Sequence, residues 1–80
     1  MIIEITRSHI RMRIRDKTVT LEGEAYMRGH GSPDFVVYGN TINNWDPPYD
    51  KIEIDEAERK EIFEILKKEM LKRNMTFEIE

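Results

Sequence analysis

Eighty residues with a net charge of −3 point to a single domain, residues 1–80, with a thin core, since a chain this small buries only about 60% of its unfolded surface. The acidic balance argues against a dedicated nucleic-acid binder, which shows a basic excess, and the absence of cysteine removes disulfides, thiol nucleophiles and cysteine-ligated zinc. No run approaches the roughly 20 apolar residues of a membrane span, and the opening MIIEITRSHIRMRIR lacks the apolar core of a signal peptide, so the expectation is a soluble cytoplasmic protein.

In chain order, MIIEITR is short and β-branched and reads as a first strand, with Ile3 and Ile5 on one face. HIRMRIR alternates: Ile10, Met12 and Ile14 face one way, Arg11, Arg13 and Arg15 the other. TVTLEGE alternates too, with Val19 and Leu21 inward and Thr18, Thr20, Glu22 and Glu24 outward. A tight turn at Asp16-Lys17 would place Ile14 opposite Val19, Met12 opposite Leu21 and Arg11 opposite Glu22, matching apolar with apolar and basic with acidic. DFVVY, Asp34 to Tyr38, is apolar on both faces and predicts a covered strand.

KIEI makes a short extended piece, and Asp55 with Glu58 three residues on forms a capping-box pair. A helix from about Glu56 to Arg73 follows, its apolar face made by Ala57, Ile62, Phe63, Ile65, Leu66 and Met70. Acids crowd its first turn and Lys67, Lys68, Lys72 and Arg73 its last, as the macrodipole prefers. Asn74 suits the left-handed residue after the helix, and MTFEIE alternates as a last strand with Met75, Phe77 and Ile79 inward. The fold class is α+β: a two-layer sandwich in which a mainly antiparallel sheet of four to five strands, in the order β-β-β-β-α-β, packs on one long C-terminal helix.

The chemistry-bearing residues gather between positions 25 and 50, in AYMRGHGSPDFVVYGNTINNWDPPYD. GHGSPD brings His30, Ser32 and Asp34 close in sequence, but three neighbours in one loop do not converge as a triad does, and no G-x-S-x-G elbow or phosphate-binding loop is present. Turn chemistry accounts for it: glycine supplies positive φ, and Ser32-Pro33 starts the next strand. His9 and His30 lack the spacing of a metal site, so no catalytic residue, metal or cofactor is expected. The arginine stripe reads as a solvated sheet face opposed by acids and threonines.

YGNTINNWDPPYD differs from these. Tyr38, Trp45 and Tyr49 stand among asparagines and the acids Asp46 and Asp50. Trp45 alone reads as folding back over the thin core, yet aromatics with a polar rim are the composition of a protein interface. Pro47-Pro48 lowers the cost of ordering the segment on contact. Charge points the same way. Residues 1–32 carry six Lys/Arg against four Asp/Glu, a net of +2, and residues 33–80 carry seven against twelve, a net of −5. A basic partner would be drawn to the second half.

The run VTLEGEAYMRGHGSPDFVVYGNTINNWDPP, with EGE, GSPDFVVY, the Trp before prolines and the terminal helix and strand, resembles the immunity protein 74 family of bacterial polymorphic toxin systems. Gly31, Ser32, Pro33, Asp34 and Trp45 match its pattern. The resemblance implies a small cytoplasmic protein, encoded beside a toxin, that binds and neutralises it; it carries over no contact residues. An acidic half would suit a basic nuclease toxin. The expected function is therefore toxin neutralisation and not enzymatic activity, with Tyr38, Trp45, Asp46, Tyr49 and Asp50 as partner contacts and His30 and Asp34 beside them. The partner is a cognate toxin, with neither nucleic acid nor membrane bound directly. The alternatives are a protein-binding or self-associating regulatory module, and a small hydrolase using His30 with Asp34.

Overall fold

The structure is a computed structural model that describes residues 1–26 and 31–80. Among these residues five strands form one sheet in the order of the chain: β1 (Ile2–Ile5), β2 (His9–Ile14), β3 (Lys17–Ala25), β4 (Phe35–Val37) and β5 (Phe77–Ile79). A 3-10 turn spans Gly39–Thr41, and the helix α1 spans Glu56–Lys72. Strands β1 to β4 pair antiparallel, whereas β5 pairs parallel to β4. The chain between them crosses through α1, as a parallel neighbour requires. The α+β class and the strand–helix order follow the expectation, with the sheet mixed at one edge.

The alternation of β2 and β3 builds the core. Ile10, Met12, Ile14, Val19 and Leu21 are buried against Ile62, Leu66 and Met70 of α1. Burial of each such side chain is worth about 1.5–3 kcal/mol relative to exposure. The hairpin register differs from the expected one. The turn lies at Arg15 and Asp16, with Arg15 at φ +59, so Met12 pairs with Val19 and Arg11 with Thr20. The displacement moves every partner by two residues, an even step that leaves each side chain on its own face. Glu22 consequently faces His9 rather than Arg11. Arg15 instead reaches the helix, where its guanidinium donates to both Glu61 oxygens at 2.7 and 3.0 Å.

β1 departs from plain alternation. Its register shifts between Ile2 and Glu4, which turns Ile2 into the core and leaves Ile3 44% exposed; Ile3 and Ile5 do not share a face as expected. On the helix, Ala57 is exposed rather than part of the apolar face, while Phe63 and Ile65 are half-buried. The caps take the expected form. Glu58 N donates to Asp55 Oδ1 at 2.8 Å and Asp55 N to Glu58 Oε1 at 3.1 Å. At the other end Asn74, at φ +57, donates to the Leu71 carbonyl and Met75 to that of Met70, the Schellman pattern.

β4 has all three residues buried. Phe35 and Val37 join the main core, while Val36, also buried, lies outside that cluster, on the face that the helix does not cover. At the sheet's outer edge Ile79 is 48% exposed rather than fully inward, because β5 has no strand beyond it among the described residues.

Candidate protein-binding surface

After β4 the chain continues along the edge of β3. Tyr38 N donates to the Glu22 carbonyl at 2.8 Å, and Asp46 N donates to the Thr18 carbonyl at 2.9 Å. Residues 38–46 thus travel beside β3 from its middle to its hairpin end. Two anchors hold the path. Arg59 of α1 donates to the carbonyls of Gly39 and Ile42 at 2.7 and 2.8 Å, and Ile54 N donates to the Asn43 carbonyl at 2.8 Å. The guanidinium meets the Ile42 carbonyl, which the turn leaves open, and adds a second, charge-assisted bond to the Gly39 carbonyl, which already accepts Ile42 N at 3.2 Å.

Extended backbone alternates here as in a strand. Trp45 turns inward and is 2% exposed, within the core cluster. Asp46 turns outward and accepts the Thr20 hydroxyl at 2.9 Å. Tyr49 N donates to the Asp46 carbonyl, closing a turn in which the Pro47-Pro48 peptide is cis. Lys17 Nζ lies 5.7 Å from the Trp45 ring centre and 5.3 Å from that of Tyr49, within cation–π range of both.

The residues expected as partner contacts therefore separate. Trp45 and Tyr49 come together around Lys17, Asp46 turns away from them onto Thr20, and Asp50 is exposed. Trp45 takes its core alternative: buried to this degree, it offers no side-chain surface to a partner and fixes the loop instead. Asp34 sits at the start of β4, where its carboxylate accepts Thr76 N at 2.8 Å and aligns β4 with β5. His30 lies outside the described residues. Tyr38 belongs to a different group.

That group occupies the side of the sheet opposite α1. Glu22 and Glu24 alternate with the inward Gly23, Val36 pairs with Glu24 and with Glu78, and Glu80 follows β5. Tyr38 and Tyr26 both donate to Glu24 Oε2, at 3.1 and 3.4 Å. Beside them a groove of about 560 Å³ is lined by Tyr38, Asn40, Thr41 and Glu80. The hydrogen bond from Tyr38 to the Glu24 carboxylate, with burial and the charges of Glu24 and Glu80, pushes the Tyr38 phenol above its ordinary value. The charge of Glu24 does the same for Tyr26, aided by burial, their hydrogen bond and Glu80. Both phenols stay protonated donors, so the face is a tyrosine platform set among carboxylates.

Sequence reasoning found Tyr38 but missed Tyr26, Glu22, Glu24, Glu78 and Glu80 as one surface. A signal existed: EGE and the final EIE each alternate acids outward, and placing the two strands on either side of β4 would have joined them. Lys17 and Arg59 carried no such signal, because their partners are rings and carbonyls distant in sequence.

Among the described residues no group of three or more His, Cys, Asp and Glu is placed to hold a metal ion. Among the described residues no helix is long and apolar enough to cross a membrane. Tyrosines among carboxylates have the composition of a protein-binding surface, and a comparison with known families bears on the class of partner. The model of the family described as Immunity protein 74 matches residues 2–80. The chain belongs to the Immunity protein 74 family. No curated protein and no solved structure matches it. Membership brings an immunity function and, in general terms, a toxin partner.

Proposed function

We propose that this Immunity protein 74 member neutralises a cognate bacterial toxin domain by seating a basic surface of the toxin on the acidic, tyrosine-bearing face of β3, β4 and β5. The observation that carries this reading is the double engagement of Glu24 by Tyr26 and Tyr38 between Glu22, Glu78 and Glu80. Tyrosines supply rigid contact area at low entropic cost, and they are enriched among residues that dominate binding energy. Carboxylates around them speed encounter with a positive partner. Asp46, bonded to Thr20, lies on the same side of the sheet. A nuclease fits best as the toxin, since its substrate-binding surface is positive. Binding there needs no catalytic residue, and the cytoplasm is where such a toxin would act.

The test is co-production of the chain with the toxin domain encoded beside it. Growth is rescued by the unaltered chain. A Glu22→Lys, Glu78→Lys double variant slows association by about ten- to a hundredfold at low salt, as loss of steering does. Absence of rescue, or an association rate unaffected by the reversal, overturns the reading. Both glutamates are exposed, so the fold survives the change.

A further inference from the structure

We infer that the free edge of β5 is a docking strand for an extended protein segment whose side chains alternate apolar and basic. Thr76 accepts from Phe35 N, and Glu80 N donates to Val37, so the even-numbered residues of this strand direct their backbone groups at β4. The N–H and C=O groups of Phe77 and Ile79 then point away from the sheet, where no strand follows among the described residues. A row of such groups is a template for another strand.

The two sides of that edge differ in chemistry. On the helix side Phe77 is only half-buried and Ile79 is half-exposed, and Leu71 at the end of α1 is 74% exposed. A depression of about 230 Å³ opens between Leu71 and Phe77, with Met75 and Lys67 in its wall. On the other side Glu78 and Glu80 project at alternate positions. An added strand would therefore place every second side chain against apolar surface and the ones between beside carboxylates. Basic residues at those positions form favourable cross-strand pairs, and acidic ones are repelled. A second copy of the chain fits poorly: antiparallel pairing centred on Glu78 sets two like carboxylates opposite each other. The edge is continuous with the acidic face through Glu78, yet the inference rests on backbone geometry and not on the toxin's identity.

The probe is a short capped peptide alternating valine and lysine, added to the full chain and followed by amide hydrogen exchange and heteronuclear NMR. Protection of the Phe77 and Ile79 amides is expected. A valine–glutamate peptide should bind at least about tenfold more weakly, or about 1.4 kcal/mol, and so should a valine–lysine peptide with its strand-facing amides N-methylated. Ile79→Lys, at an exposed edge position, should weaken binding of the unmodified peptide without unfolding the chain. Equal binding of the methylated peptide, or protection confined to other amides, overturns the inference. So does a concentration-dependent dimer that protects Phe77 and Ile79 with no peptide present, which would give the edge to a second copy.

Discussion

Arg59 Nη1 donates to the Gly39 carbonyl oxygen at 2.7 Å, joining the helix to the turn that follows Tyr38. Its second nitrogen takes the Ile42 carbonyl, so one side chain spans both ends of the turn. Arg59→Met keeps the aliphatic stem and strips both bonds, leaving the part-buried Ile42 carbonyl unmet and the Gly39 carbonyl with the Ile42 amide alone. Stability should fall by about 1–3 kcal/mol, read as a lower urea midpoint at unchanged slope. Toxin binding should weaken as well, although Arg59 lies outside the proposed face, because Tyr38 loses its support. A midpoint within error of the unaltered chain would show that the clamp is incidental.

Gly23 is placed by close approach. A methyl group there would collide with the Val36 carbonyl oxygen and the edge of the Phe35 ring. The obstacle includes backbone, which a rotamer change cannot move. Gly23→Ala should destabilise by about 1–3 kcal/mol, as overpacking does, and spread Glu22 and Glu24 away from β4. Thermal unfolding measures the first effect, and weaker toxin binding the second. A neutral Gly23→Ala would mean that β3 and β4 lie further apart than described.

Trp45 Nε1 is buried without a hydrogen-bond partner. Trp45→Ala should cost about 3–5 kcal/mol, in line with large-to-small changes in cores. Trp45→Phe should cost far less, under about 1.5 kcal/mol, because it removes an unmet donor worth about 1–3 kcal/mol along with part of the ring. Denaturant midpoints of the two variants decide the point. Equal costs would imply that the indole N–H is satisfied, by water for example, and contributes to stability.

The contrast between these positions shows what the sequence made legible. The inward sets of β2 and β3, the capping box and the left-handed Asn74 follow from period, spacing and local chemistry, and all stand in the structure. The hairpin turn, the irregularity in β1 and the parallel placement of β5 do not, since several registers preserve the same alternation. Trp45 shows the same limit at the site. Composition placed it in an interface-like loop, but the path of that loop along β3 decides which face each residue takes. Tyr26 and Glu24 were visible only as local sequence, and their meeting with Tyr38 depends on β4 lying beside β3.

The tyrosine platform has a titration signature. In the folded chain both phenols beside Glu24 are pushed above the ordinary value of about 10. A folded value raised in this way contributes stability that is present below the unfolded value and lost as pH rises through the folded value. Absorbance near the phenolate band should therefore show tyrosines ionising late on the alkaline side. Glu24→Gln should draw that part of the curve back toward the ordinary value. A curve unchanged by Glu24→Gln would remove the carboxylate as the cause and separate the two tyrosines from it.

Acid should act through other carboxylates. The Ile2 amide donates to Glu69 Oε1 at 3.2 Å, and this bond, with those from Lys72 and Arg73, holds the Glu69 carboxyl below the usual range against the opposing effect of burial. The bidentate bond from Arg15 lowers Glu61 in the same sense. Depressed folded values contribute stability above the unfolded value, about 4.3 for glutamate, that disappears as pH falls through the folded values. The urea midpoint should thus decline from about pH 4.3 downward. Glu69→Gln keeps the shape and an acceptor for Ile2 but removes the charge, so its midpoint should start lower at neutral pH and fall less steeply in acid. Parallel curves for the two chains would move the acid sensitivity elsewhere, whereas convergence at low pH assigns that share of it to the tie between Glu69 and the first strand.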